Sequence, residues 1–290
     1  MAVNPYAANP GDVVKHLVLA ELLHGERSRL TTYIDTHAGR PWNDLSKRAF
    51  LFSHADRQPP VAWADGYMER AVGGELGEDI KQARYTTILK TDHGAGTFWG
   101  RNGLASPPVY PGSVGIALAS NLGVTRWFCG EVNGRDRARL RAALPPRSVF
   151  TSLLSPWGRA RVDAATGPHA CILVDPWDLP DTTLEESRKA HAFITDVAAQ
   201  GAVVEAWYPL NRPETPAAME ELLQSLDAGT KLEVWWSHGT GPSLRGAGVI
   251  VANAGGETTQ RLTTLVSALT PLYQRVAEFE RVIGGSPTLT

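Results

Sequence analysis

The chain has 290 residues, of which 43% are hydrophobic and 20% charged, enough for one large domain or two small ones with a sizeable core. Its formal net charge is −2, so a nucleic-acid partner would have to bind through a local patch rather than by overall charge. Two cysteines and no His/Cys cluster at metal-ligand spacing argue against a disulfide scaffold and against a metal site. Without a leader-like start or an 18-residue apolar run, we expect a cytoplasmic protein with no membrane span.

The first predicted elements are a helix over 12–23, with Asp12 as a plausible N-cap, and a core strand over 31–35. Later in the chain, helices are predicted over 113–122, 135–143, 184–200, 220–226 and 258–283, and strands over 125–130, 169–175, 202–208, 232–236 and 248–252. This alternation is typical of a mostly parallel sheet with crossover helices. Only about ten residues separate the last two strands, too few for a crossover helix, so they are predicted to be antiparallel at one sheet edge. That order is the one expected of the Rossmann-like class I S-adenosylmethionine (SAM) methyltransferases.

Residues 40–108 do not fit the alternation. The segment is rich in Pro and Gly and is too long for an ordinary connection, which predicts an inserted subdomain. The chain would then consist of a methyltransferase-like domain, residues 1–39 and 109–290, interrupted by residues 40–108. We expect the insertion to lie over the carboxyl ends of the strands and to narrow access to a pocket there.

Three acids lie at or directly after the carboxyl ends of predicted strands: Asp35, Glu131 and Asp175. Ligands of open α/β sheets bind beyond the carboxyl ends of the strands, so these acids are candidate site residues. Glu131 is placed to bind both ribose hydroxyls of a nucleoside cofactor, because a carboxylate makes strong charge-assisted bonds to a diol. The alternative is that these acids only cap the helices that follow them.

The turn after the first strand, Asp35 to Gly39, has a single glycine where a nucleotide-binding fold favours two or three. Arg40 and Pro41 stand where the others would be. His37 in this turn either contacts a ligand or is simply solvated.

Seven short motifs, in this order, resemble those of the RlmJ family, bacterial enzymes that methylate adenine N6 in large-subunit (23S) ribosomal RNA with SAM. They occur at residues 9–16 (NPGDVVKH), 33–39 (YIDTHAG), 110–113 (YPGS), 130–131 (GE), 172–176 (ILVDP), 207–209 (WYP) and 246–251 (GAGVIV). The resemblance spans about residues 9 to 255. It implies that SAM contacts Lys15, His16, Asp35, His37, Gly39, Ser113 and Glu131. It also implies that Asp175 is the catalytic acid and that the family's inserted helical subdomain corresponds to residues 40–108.

The chain departs from the family on the substrate side. Family members carry Asp-Pro-Pro-Tyr after the fourth strand, whereas this chain has Asp175, Pro176, Trp177 and Asp178. In the family the acid and the proline carbonyl accept N–H bonds from the adenine amine, and the aromatic ring stacks on the extruded base. Asp175 and Pro176 keep the acceptors, Trp177 could stack from a shifted position, and Asp178 adds negative charge. The Tyr-x-His element that the family has near its N-terminus is also missing.

Besides the family resemblance, a local basic region favours RNA. It comprises Arg135, Arg137, Arg139, Arg141 and Arg147, with Arg159 and Arg161 further on. These arginines either contact phosphates or form a solvated helix face.

Three hypotheses follow from the sequence. The first is a SAM-dependent methyltransferase acting on adenine N6 of ribosomal RNA. The second is a SAM-dependent enzyme for a small-molecule or peptide amine, which Asp178 and the aromatic ring of Trp177 would suit. The third is a non-catalytic SAM-binding protein, favoured by the altered first turn.

Overall fold

The computed structural model describes residues 7–45, 61–105, 108–120, 123–150, 162–163, 165–211, 215–235 and 245–272. The helices are α1 (Pro10–Gly25), α2 (Val61–Gly73), α3 (Glu78–Gln82), α4 (Arg84–Lys90), α5 (Ser113–Ala119), α6 (Gly134–Ala143), α7 (Glu185–Ala199), α8 (Thr215–Gln224) and α9 (Gly256–Ala268). The strands are β1 (Thr32–Asp35), β2 (Trp42–Asp44), β3 (Trp99–Gly100), β4 (Gly103–Leu104), β5 (Val109–Pro111), β6 (Arg126–Cys129), β7 (Val149–Phe150), β8 (Ala170–Val174), β9 (Val203–Pro209), β10 (Gly229–Trp235) and β11 (Gly246–Ala252). Among the described helices, none combines the length and the apolar character needed to cross a membrane.

A seven-stranded sheet forms the centre of the fold, in the order β10-β11-β9-β8-β1-β6-β7. Strands β9, β8, β1, β6 and β7 are parallel, and β11 is antiparallel to both of its neighbours, β9 and β10. The predicted mixed α/β architecture, with a mostly parallel sheet and a late antiparallel pair at one edge, is confirmed. Because β1 lies between β8 and β6, the chain reverses its winding direction there, and this is where open α/β sheets bind ligands.

Both faces of the sheet are covered, as expected for parallel strands. On β9, Val203 and Trp207 belong to the hydrophobic cluster on the α1 side, whereas Val204, Ala206 and Tyr208 belong to the cluster on the opposite side. This alternation follows from the two-residue period of a strand.

Helix α1 is buried along almost its whole length, which explains why its sequence is apolar on most sides. Its N-cap is Asn9, not Asp12 as the sequence suggested. The Asn9 side chain accepts a bond from the Asp12 amide at 2.9 Å, and the Asp12 carboxylate accepts from the Asn9 amide at 3.4 Å. Asp12 is therefore the third residue of a capping box, and Pro10 occupies the first helical position, where its missing N–H costs nothing.

The described part of residues 40–108 contains β2, the three helices α2, α3 and α4, and the β3–β4 hairpin. Strand β2 pairs antiparallel with β5. Buried residues of this segment, among them Tyr67, Tyr85 and Ile88, belong to the same hydrophobic cluster as α1. The segment thus shares a core with the sheet, and its separation as a subdomain stays a prediction.

Most element bounds lie within two residues of the sequence prediction. Helix α8 begins five residues earlier than predicted, at Thr215. The closing helix is described as far as Ala268, and the remainder of its predicted length, up to residue 283, lies largely outside the described residues.

Candidate functional site

A cavity of about 490 Å³ lies where α1 begins and where β1, β8 and β9 end. Seven of the residues predicted for the site line it: Lys15, His16, His37, Gly39, Ser113, Asp175 and Trp177. They come from four separate segments of the sequence, which the sheet brings together at the carboxyl ends of its strands. The cavity falls in the size range of small-molecule sites, about 300–1,000 Å³.

An ion-pair network lies in the wall of the cavity. Lys15 Nζ is 2.7 Å from Asp175 Oδ2 and 3.1 Å from Asp12 Oδ1, and the three side chains are 10–14% exposed. Burial disfavours the charge on Lys15, but the two carboxylates outweigh it and raise the pKa of Lys15. Burial raises the pKa of Asp175 above its usual value, although the nearby ammonium of Lys15 acts in the opposite direction.

Two tryptophans form an aromatic wall next to this network. Lys15 Nζ is 5.4 Å from the ring centroid of Trp207, within cation–π range. The rings of Trp177 and Trp207 are 5.9 Å apart at an angle of 41°. Trp207 is buried, whereas Trp177 is 52% exposed, so Trp177 presents a free face at the rim of the cavity.

A chain of hydrogen bonds runs from the cavity into the core through His16. Its Nδ1 is 2.9 Å from the Tyr110 hydroxyl, which is 2.8 Å from the Tyr85 hydroxyl. Burial, and next the charge of Lys15, lower the pKa of His16 to about 3. His16 is therefore neutral at pH 7 and offers the cavity a hydrogen-bonding group without charge.

Asp35 is fully buried behind the cavity and is not part of its wall. Its carboxyl accepts bonds from the Ser113 hydroxyl at 2.6 Å, the Tyr33 hydroxyl at 3.2 Å and the His37 amide at 3.0 Å. Burial raises the pKa of Asp35 to about 6, although the hydrogen bond from Ser113 acts to lower it. In this structure Asp35 holds the first turn and the start of α5 in place instead of facing the cavity.

The turn after β1 is tied to both neighbouring strand ends. Thr36 accepts a bond at 3.3 Å from the amide of Asp175, and the Gly130 amide donates to the Asp35 carbonyl at 2.7 Å. Gly39 has φ +57°, and no atom lies within 4 Å of the position a Cβ would take. The backbone at Gly39 is therefore open toward the cavity that it lines.

Three predicted residues, Glu131, Pro176 and Asp178, lie outside the cavity walls as far as the described residues define them. Glu131 follows β6, and its Oε1 accepts a bond from the Asn133 amide at 2.6 Å. The Pro176 carbonyl accepts from the Leu179 amide at 3.2 Å, and Asp178 is exposed.

The predicted basic region is partly neutralised by its surroundings. Asp136 on α6 is 2.7 Å from both Arg40 and Arg139. The Arg141 guanidinium lies 5.5 Å from the Phe150 ring centroid. Arg159 and Arg161 lie outside the described residues.

Three residues that were not predicted for the site also line the cavity: Asp12, Tyr110 and Trp207. A signal was present, because all three belong to the motifs that carry the family resemblance.

Comparison with known proteins supports the mixed α/β fold. No family model and no curated protein matches the chain. A crystal structure of a Legionella pneumophila protein with the family designation DUF519 is similar, with a TM-score of 0.67 and 18% identity. The match covers 92% of this chain and 94% of that one. The two proteins share a fold over nearly their whole lengths.

Proposed function

We propose that the protein is a class I SAM-dependent methyltransferase whose acceptor is an amine nitrogen, most consistently adenine N6 of ribosomal RNA. The observation that carries the proposal is the position of Asp175, at the carboxyl end of the central strand β8 and in the wall of a cavity beside two tryptophans. The strand order, with an antiparallel strand inserted between β9 and β10, also supports it, because class I methyltransferases have this arrangement.

The cavity residues fit SAM in size and chemistry. The volume of about 490 Å³ suits a nucleoside-sized ligand. The ammonium of Lys15 can pair with the cofactor carboxylate, the carboxylate of Asp12 with its amino group, and the open backbone at Gly39 allows close approach. Bound there, SAM would supply a methyl group from its sulfonium sulfur. The sulfur would depart as a neutral thioether, so the transfer requires no covalent enzyme intermediate.

The chain's own residues would position the acceptor. The lone pair of an aromatic amine is conjugated into its ring, so the protein has to orient the nitrogen and accept its N–H bonds as positive charge develops. Asp175 is such an acceptor, and Lys15 holds one of its oxygens at 2.7 Å while opposing its protonation. The exposed face of Trp177 can stack on the ring that carries the amine.

A second acceptor class is favoured by the exposed Asp178 next to Trp177. A carboxylate beside an aromatic face suits a cationic amine, so a small-molecule or peptide amine is the alternative substrate of the same site. The single carboxylate of Asp136 partly offsets the charges of Arg40 and Arg139 and so reduces the local attraction for RNA.

The test is transfer of radiolabelled methyl groups from SAM to protein-free large-subunit ribosomal RNA and, separately, to a panel of amines. Asp175→Asn keeps the shape and removes the charge, so we expect turnover to fall more than about tenfold while SAM affinity is nearly unchanged. The matched control is Asp227→Asn, at an exposed carboxyl outside this cavity, which should leave turnover intact.

SAM affinity, measured by calorimetry, tests the cofactor half separately. Glu131→Ala should weaken binding by about 1.5–3 kcal/mol if this carboxylate holds the ribose diol. Unchanged affinity would remove Glu131 from the cofactor site. Absence of SAM binding by the unmodified protein would refute the proposed function as a whole.

A further inference from the structure

A second cavity, of about 540 Å³, lies at the opposite end of α1 from the candidate site. Its walls come from the last turn of α1, the loop that follows it, α3 and α4 of the 40–108 segment, and the start of α9. The ends of α1 and α9 approach so closely that a Cβ on Gly25 would overlap the Thr258 side chain. This cavity is therefore built by the packing of four elements, rather than by a single surface loop.

Three guanidiniums line this cavity: those of Arg27, Arg84 and Arg261. Glu21 is the buried carboxylate between them, and both of its oxygens are used. Oε1 accepts from the Arg84 amide, and Oε2 is 2.8 Å from Arg261 Nε. Glu257 is exposed at the rim, and Asp79 lies 3.9 Å from Arg261. The lining side chains carry three positive charges and two negative ones, and Asp79 adds a third carboxylate beside Arg261.

Arg84 has hydrogen-bonding capacity that the described residues do not use. One of its terminal nitrogens donates to the Ala119 carbonyl at 3.1 Å, whereas its buried Nε has no partner among the described residues. An unpaired buried donor is costly, since its bonds to water are lost without replacement. The other terminal nitrogen of Arg84 has no acceptor among the described residues, and an oxyanion in the cavity that Arg84 lines would accept from it.

The start of α9 contributes less to the cavity. Its N-cap, Gly255, provides no side-chain cap, but the Glu26 carboxylate accepts from the Gly255 amide at 2.8 Å and offsets the positive end of the helix. Forked guanidiniums, by contrast, are groups that proteins use for phosphate.

The pKa of His24, which lines this cavity, is sensitive to the charges around it. Nη1 of Arg27 lies 3.0 Å from its Nδ1 and 2.8 Å from its Nε2. Because a guanidinium only donates, a ring nitrogen that bonds to Arg27 is an acceptor in this geometry. Burial, followed by Arg27, Arg84 and Arg261, lowers the pKa of His24, while Glu21 acts in the opposite sense.

We propose that this cavity binds a phosphate group, with Arg27, Arg84 and Arg261 as its donors. The phosphate belongs either to a free phosphorylated compound or to an RNA backbone. The inference does not depend on the proposed function, because the two cavities have no lining residue in common.

Pyrophosphate is the first probe. We expect it to raise the pKa of His24, followed by NMR of the imidazole protons, because a bound anion favours the imidazolium. Binding should weaken at least fivefold in Arg261→Gln and in Arg27→Gln. The second variant changes an exposed side chain and therefore avoids any effect on folding. The control is Arg135→Gln, an exposed arginine on α6, which should bind as the unmodified protein does.

Competition then identifies the source of the phosphate. Displacement of pyrophosphate at lower concentration by a short single-stranded RNA assigns the site to a nucleic-acid backbone, and displacement by adenosine diphosphate assigns it to a free nucleotide. A His24 titration that pyrophosphate leaves unmoved overturns the proposal. So does an Arg135→Gln variant that loses as much affinity as Arg27→Gln.

Discussion

Replacing Lys15 by Met tests the ion-pair network in the wall of the candidate site. The substitution keeps an unbranched apolar stem but removes the ammonium, which is 2.7 Å from Asp175 and 3.1 Å from Asp12. Removing one partner of a buried ion pair costs about 3–5 kcal/mol, because the remaining charge is left without compensation. Since these side chains are 10–14% exposed, we expect a loss near the lower limit, about 3 kcal/mol at pH 8.

The loss should depend on pH in a defined direction. The folded-state pKa of Asp175 is already raised by burial, and without Lys15 it rises further. A raised folded-state pKa contributes stability below the unfolded-state pKa, and this contribution is lost as the pH rises through the folded-state value. Asp175 of the variant takes up a proton in mild acid, so its stability deficit should be smaller at about pH 5 than at pH 8.

Urea denaturation at these two pH values measures the effect. Lys189→Met is the matched control, because Lys189 forms exposed ion pairs with Glu185 and Glu186, and its loss should leave the urea midpoint unchanged. The double variant Lys15→Met/Asp175→Asn should recover part of the stability, since no unpaired charge remains at position 175. Equal losses at both pH values, or strictly additive losses in the double variant, would refute this account of the network.

Three further predictions concern the core. Burial raises the folded-state pKa of Asp35 to about 6. The free energy of unfolding of the unmodified protein, relative to that of Asp35→Asn, should therefore fall by about 2.4 kcal/mol between pH 4 and pH 7, as urea midpoints would reveal. Gly130→Ala should lower the free energy of unfolding by at least about 2 kcal/mol, measured by heat or urea, because the new Cβ would lie 2.0 Å from the Thr36 carbonyl oxygen. The control is Gly134→Ala, whose Cβ would have no atom within 4 Å and which should keep its stability. Glu205 is fully buried, and neither of its carboxyl oxygens has a partner among the described residues. Burial raises its pKa, so ionisation of this carboxyl costs stability as the pH rises. Glu205→Gln should therefore have the higher free energy of unfolding, by a margin that widens from pH 6 to pH 9.

The sequence alone predicted those elements whose surroundings or connections leave a clear local pattern. An unbroken apolar run predicted β8, because both faces of a central parallel strand are covered. The short spacing between the last two strands predicted their antiparallel pairing, since it left no room for a helix. These inferences use only local pattern and connection length.

The arrangement of the site depended on long-range contacts that no local pattern encodes. Lys15 and Asp175 are 160 residues apart, so their pairing could be inferred only from a family resemblance. Asp12 looked like a helix cap, yet it also binds Lys15, because α1 begins at the edge of the sheet. Asp35 is the last residue of β1, whereas Glu131 lies two residues beyond the end of the neighbouring strand β6, and only Asp35 is enclosed by Tyr33 and Ser113.

The central position of β1 has a consequence for synthesis on the ribosome. Thr36, directly after this strand, bonds to the Leu173 carbonyl of β8, 137 residues later in the chain. At about 5–20 residues per second, the strand waits roughly 7–27 s for this neighbour to be made. During this interval the first third of the chain, including the apolar helix α1, has no completed sheet to pack on. Nascent chains of this protein should therefore bind chaperones that recognise apolar segments until β8 has emerged.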